Sequence, residues 1–250
     1  MLLCNSHSGS VVLPEIAALM TEQALETRDS NRHLTRLLDI PAIESAAMVT
    51  ANLSRYVVDL DQPTVAKEGA GQVVPTVTGS GDRIYQPGAE PDEREIAKRI
   101  EHYYLPFHQQ VVDELQRLVV RFGDAVALDF HARAAGSAES SGQNVPDVLV
   151  EIDPQANAAW SDKVLALMKT TDWSFEVVAN LNDGGSAIAN TVNRVPGVDL
   201  VRFCFNPVCY LDPDDGGLDF ELARAFGGQL ERLLVGVMKW AEARAAANQN

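Results

Sequence analysis

No stretch of about 20 apolar residues occurs anywhere in the chain, so no segment reads as a membrane-spanning helix. Cysteine is scarce. Cys4, Cys204 and Cys209 are the only three, with no C-x-x-C pair, which argues against a disulfide framework. That usage makes a reducing cytoplasm the expected location. The first nine residues lack the basic start and long apolar stretch of a secretory signal. Basic residues are also few. Twenty Lys and Arg stand against 35 Asp and Glu, a net charge of −15, so neither nucleic acid nor an anionic membrane is an expected partner. Internal repeats and low-complexity tracts are missing. So are the G-x-S-x-G, Walker A, G-x-G-x-x-G and H-E-x-x-H motifs.

What is present is an ordinary globular composition, 46% apolar and 22% charged. Its 250 residues suffice for one α/β domain over 1–250 with a large core. Residues 2–4 read as a buried strand that runs into the polar turn Asn5-Ser6-His7-Ser8-Gly9. Residues 14–25 and 31–38 have helical spacing, and 46–49 and 56–60 read as strands. Residues 63–90, rich in Gly, Pro, Thr and Ser with few apolar anchors, read as a long surface excursion and a candidate lid.

Residues 91–122 read as a long helical region with acids in its first turns, broken or kinked at Pro106 and ended by Gly123. Strands are expected at 125–129, 147–152, 175–179 and 200–205, and helices at 156–168 and 218–246. This alternation predicts a mixed, mainly parallel sheet with helices on both faces. Ligands bind such sheets at the carboxyl ends of strands. His7, His131 and the segment after Phe205 all fall there.

Several side chains in this arrangement carry chemistry. Asp129 and His131, two apart in a strand, project to one side. An aspartate so placed takes the second N–H of a metal-bound imidazole and fixes its tautomer. Arg55 and Asp59, four apart in Ser54-Arg55-Tyr56-Val57-Val58-Asp59, are either a ligand-orienting pair or a structural ion pair. His33, His102 and His108 read as ordinary helix histidines. Ser8 has no base placed beside it by the sequence, so it is not read as a nucleophile.

Together these stretches resemble the N-formylglutamate amidohydrolases. The resemblance runs through Ser6-His7-Ser8-Gly9, residues 54–60, Tyr85, Glu90-Pro91-Asp92, Tyr104-Leu105-Pro106-Phe107-His108, Asp129-Phe130-His131 and Pro146-Asp147, in that order. It implies a three-layer α/β/α fold related to the zinc-dependent exopeptidases. It implies a Zn²⁺ held by His7, His131 and a carboxylate, with hydrolysis of an amide of a small molecule or peptide by metal-bound water.

The departures from the family pattern are as informative. The carboxylate ligand falls on Asn31, and the glutamate base on Cys204. The arginine that would clamp a substrate carboxylate is Gln62, preceded by Asp61. Basic residues expected after Gly184-Gly185 are Ala189 and Asn190. The site set implied by the resemblance is therefore His7, Asn31 and His131 at the metal, Asp129 behind it, and Arg55, Asp59 and Asn190 at the substrate. Glu151 or Cys204 would serve in catalysis, Cys204 alternatively as the third zinc ligand. Two functions follow. One is an amide hydrolase with an altered substrate, one without a free carboxylate. The other is a catalytically inactive relative that binds a ligand or partner.

Overall fold

The computed structural model describes residues 1–27, 29–65, 71–133, 145–153, 156–178, 185–212 and 216–248. Six strands form one sheet in the order β2-β1-β3-β6-β4-β5: β1 (Leu2–Asn5), β2 (Ala47–Thr50), β3 (Ala125–Ala132), β4 (Val148–Ile152), β5 (Phe175–Val178) and β6 (Val198–Phe205). All neighbouring strands run parallel except β4 and β6, which are antiparallel. The mixed, mainly parallel α/β sheet expected from the sequence is therefore the one found.

Strict alternation along the strands builds two cores. Leu3, Val126, Leu128, Phe130, Val201, Phe203 and Phe205 face one layer, closed by α6 (Ala158–Met168) and α8 (Phe220–Asn248). Leu2, Cys4, Ala125, Ala127 and Leu200 face the other, closed by α5 (Leu105–Phe122) and α7 (Ala187–Val192). Asp129, His131, Arg202 and Cys204 share the strand parity of the second set. The chemistry therefore lies on the α5/α7 side of the sheet.

Four expectations need correction. Residues 14–25 are not one helix but two single turns, α1 (Pro14–Ala17) and α2 (Glu22–Leu25), separated where the Thr21 side chain caps α2. Residues 56–60 are not a strand. Val57 N–H bonds back to Ser54 O at 2.8 Å, and Asp59 N–H bonds to Val73 O at 2.7 Å, so the segment is a packed turn. His131 lies inside β3 rather than past its end, because β3 pairs with β6 through Ala132. The excursion at 63–90 has more apolar anchors than its composition suggests: Val73, Val74, Ile84 and Tyr85 are all buried. Residues 66–70, together with Ala179 and Gly184, lie outside the described residues.

Pro106 neither breaks nor sharply ends the long helix. Between α4 (Glu93–Arg99) and α5 the chain makes a π turn over Ile100–Tyr104, with Leu105 N–H bonded to Ile100 O. The wider turn accommodates the missing N–H and the ring of Pro106 while the helix continues. Asp92 caps α4 through Glu95 N–H at 2.8 Å, and Gly123, at φ 87°, ends α5. The helix α3 (Arg32–Leu37) follows Asn31, and α8 is about the length the sequence implies. Among the described residues no helix is long and apolar enough to cross a membrane.

Candidate active site

His7 stands in the turn after β1. Ser8 Oγ donates to Asn5 O at 3.1 Å and to Ala51 O at 2.8 Å, which closes the turn against the end of β2. Gly9 makes this possible: a Cβ there would lie 2.0 Å from Leu53 O. His7 is thereby aimed at Asp59, with Nε2 2.7 Å from Oδ1. Oδ1 also accepts Asp61 N–H at 3.1 Å, and Oδ2 accepts Arg55 Nε at 3.1 Å and Nη2 at 2.5 Å. Burial alone would raise the Asp59 carboxyl, but His7 and Arg55 outweigh it and hold the group far below the usual carboxylate range. Burial also lowers the His7 imidazole. An ionised Asp59 takes the Nε2 proton of a neutral ring, which leaves the Nδ1 lone pair free.

His131 repeats the arrangement on β3. Its Nε2 is 3.1 Å from Asp129 Oδ2, and its ring meets that of His7 edge-on at 5.0 Å between centroids. Two carboxylate-backed imidazoles thus face each other beyond the carboxyl end of β1. The Asp129–His131 contact is the one the strand spacing predicts. Asp59 differs: both of its oxygens are committed to the protein's own donors, so it orients His7.

Arg202 was not singled out by the sequence. It is 8% exposed and bonds Asp129 Oδ2 through Nε at 2.8 Å, and Asp61 Oδ1 and Ser186 Oγ through Nη2 at 3.0 and 2.6 Å. Asp61 in turn accepts from Ser186 Oγ at 2.7 Å and from Ile188 N–H at 3.2 Å, where α7 begins. The signal available in the sequence is the single charge within residues 200–205, a stretch expected to be a buried strand.

Glu151 on β4 is the cross-strand partner of Arg202, with Oε2 3.9 Å from Nη1. Its Oε1 accepts the Cys204 thiol at 3.5 Å, and Cys204 is the direct β6 partner of His131 on β3. Asn31 is buried, its N–H on His7 O at 2.7 Å, while its Nδ2 finds no partner. Asn190 stands exposed on α7. Asp29 accepts from Tyr56 OH and Gly79 N–H, each at 2.7 Å. Asp29, Tyr56 and Gly79 edge a cleft of about 360 Å³, lined also by Arg55, Asp59, Gln62 and Gln72. His108 is no surface residue. It is buried between Leu60 O, 2.9 Å from Nε2, and Thr191 Oγ1, 2.7 Å from Nδ1, and burial lowers it to about 4.

A zinc centre of the expected kind needs three protein ligands. His7 and His131 supply two free Nδ1 atoms, but the third position holds a neutral amide. Among the described residues no three His, Cys, Asp or Glu side chains converge as a ligand set. Cys204 gives its thiol to Glu151 Oε1 at 3.5 Å and is not part of such a set. The donor set does not fit a three-ligand zinc centre.

A sequence model of the N-formylglutamate amidohydrolases matches residues 1–207. The chain belongs to the N-formylglutamate amidohydrolase family. The N-formylglutamate deformylase of Pseudomonas aeruginosa is 29% identical over 136 residues, 53% of this chain and 51% of that protein. That of Pseudomonas putida is 28% identical over 137 residues, with the same shares. The chain thus aligns with about half the length of the curated relatives it matches.

The crystal structure of an N-formylglutamate amidohydrolase from Ralstonia eutropha superposes with a TM-score of 0.76 at 14% identity, covering 98% of this chain and 94% of that one. A gene product of Agrobacterium tumefaciens superposes at 0.69 and 17%, covering 100% and 91%. Both share the fold. The family match takes in all of β6, whereas α8 lies beyond it.

Proposed function

We propose that this member of the N-formylglutamate amidohydrolase family hydrolyses the C–N bond of a small-molecule amide, in the space where His7 and His131 meet. The observation that carries this is the pair of buried imidazoles, each backed by its own ionised carboxylate and set edge-to-face at 5.0 Å. A purely structural core has no use for two such pairs at one strand end, because each buries charge. With Nε2 protonated toward Asp59, His7 keeps an Nδ1 lone pair, an acceptor for the N–H of a bound amide.

The substrate differs from N-formylglutamate. Support comes from Gln62 in the place of the anion clamp and from Arg55, the guanidinium on the cleft, already held by Asp59. Amine release from a panel of N-formyl and N-acetyl amides, with and without a free carboxylate, tests the reading. Turnover is expected for uncharged members and is lost in His131→Ala. Full turnover in that variant, or no release from any amide, overturns it; the second result favours a protein that only binds its ligand.

A further inference from the structure

We propose that Cys204, Glu151 and Arg202 form a thiol acyl-transfer site, in which Cys204 is the nucleophile, Glu151 its base and Arg202 Nη1 the donor to the developing oxyanion. The inference rests on the amide-hydrolase reading and names the group that attacks.

Three independent observations converge. The first is exposure. Residues 199–203 and 205 of β6 are buried, whereas Cys204, on the α5/α7 side, is half-buried. The second is the contact: Sγ donates to Glu151 Oε1 at 3.5 Å, the pairing of nucleophile and base that covalent catalysis needs. The third is Arg202. This nearly buried guanidinium spends Nε and Nη2 on Asp129, Asp61 and Ser186, while Nη1 makes no hydrogen bond among the described residues and only a long ion pair with Glu151. Nη1 stands 3.9 Å from Glu151 Oε2, beyond hydrogen-bond length. A fixed, water-shielded cation with unspent N–H groups beside a thiol suits a developing oxyanion.

The strand register explains why the three come together. Arg202 pairs with Asp129 on one side and Glu151 on the other, and Cys204 pairs with His131 one step further along the strand. The place where the family pattern has its glutamate base thus holds a nucleophile, and a neighbouring strand supplies the carboxylate. The thiol holds its proton on the hydrogen bond to Glu151. Attack therefore requires proton removal in the same step, as for a serine.

The chemistry closes without a further reagent. Glu151 takes the Sγ proton as sulfur bonds to the amide carbon, and the carbonyl π pair becomes an oxyanion facing Nη1. That pair returns, the C–N bond breaks, and the nitrogen leaves with the proton from Glu151. The result is an S-acyl thioester on Cys204. Water then adds to it, giving its proton to Glu151. The C–S bond breaks, the acid departs, and the sulfur regains the proton.

The test uses the full chain and p-nitrophenyl acetate as acyl donor, with digestion and mass spectrometry to locate the adduct. Amine release from the amide panel is followed in parallel. Acetylation is expected on Cys204 at about a hundred times the rate on Cys209, falling by about a hundredfold or more in Glu151→Gln. Cys204→Ala should abolish amide turnover.

Equal labelling of the two cysteines, or wild-type turnover in Cys204→Ala, overturns the nucleophile and leaves the amidase reading standing. Acetylation of Cys204 at the expected rate with no amine release from any amide supports the thiol site and overturns the amidase reading. Adduct mapping is done on the unaltered chain, so a variant that fails to fold does not blunt the test.

Discussion

Asp129 and Arg202 are direct partners across β3 and β6, and Asp129 Oδ2 accepts Arg202 Nε at 2.8 Å with both side chains buried. Removing the cation leaves Asp129 and Asp61 charged in a shielded place. Arg202→Met is expected to destabilise the fold by roughly 3–5 kcal/mol, the cost of breaking a buried pair from one side. Urea denaturation of the variant against the parent chain measures it. Arg202→Met together with Asp129→Asn should recover part of the loss; strict additivity would show that the two do not interact.

His108 gives the fold an acid-side sensitivity. Its folded pKa of about 4 lies below its ordinary 6.5, so between those values the unfolded chain binds more protons than the folded one. Stability therefore rises with pH across that window and is lost as pH falls through it, by on the order of 3 kcal/mol. His108→Asn should flatten the dependence between about pH 4 and 6.5. The measurement is the urea midpoint of both proteins across the window. Parallel curves would show that another group carries the effect.

Asn31 is where the family pattern has a metal carboxylate. Asn31→Asp is expected to raise zinc affinity roughly tenfold or more, because it adds an anionic oxygen to two free imidazole nitrogens. Calorimetric titration with zinc reads this without any activity assay. Unchanged affinity would place residue 31 outside the metal position.

Gly9→Ala is expected to misplace His7. The added carbon would sit 2.0 Å from Leu53 O, a backbone atom that cannot swing aside. A loss of about 1–3 kcal/mol or more is expected, together with a shifted His7 imidazole resonance. A variant with parental stability and an unmoved His7 signal would mean the turn has room to relax.

The sheet is legible in the sequence because its strands are short apolar runs bounded by turns, and His7 and His131 are legible because strand ends are where such sheets bind ligands. The Asp129–His131 pair follows from period two alone. Arg55 and Asp59 do meet, but through a turn, since the apolar content of residues 56–60 comes from packing against Val73, Tyr85 and the π-turn helix rather than from a ladder. Arg202 and Asp61 stay hidden for a different reason. Their partners come from strands and a helix whose neighbours in space are fixed by the crossover order, and sequence spacing carries no record of that order. Glu151 lies in β4, which runs antiparallel to β6, so its place beside Arg202 is set by a strand direction that sequence spacing does not record.

The π turn at Ile100–Tyr104 acts as a phase shifter. One extra residue in a helical turn rotates everything after it by about a quarter turn or more. Ahead of it, Arg99 reaches Tyr85 OH at 2.7 Å and Val57 O at 3.3 Å, holding the outer loops. Behind it, Phe107, His108, Val111 and Leu115 are buried toward the sheet and α7. A single rod thus holds the outer loops at one end and packs against the sheet and α7 at the other, and the five residues between set the rotation of one end relative to the other.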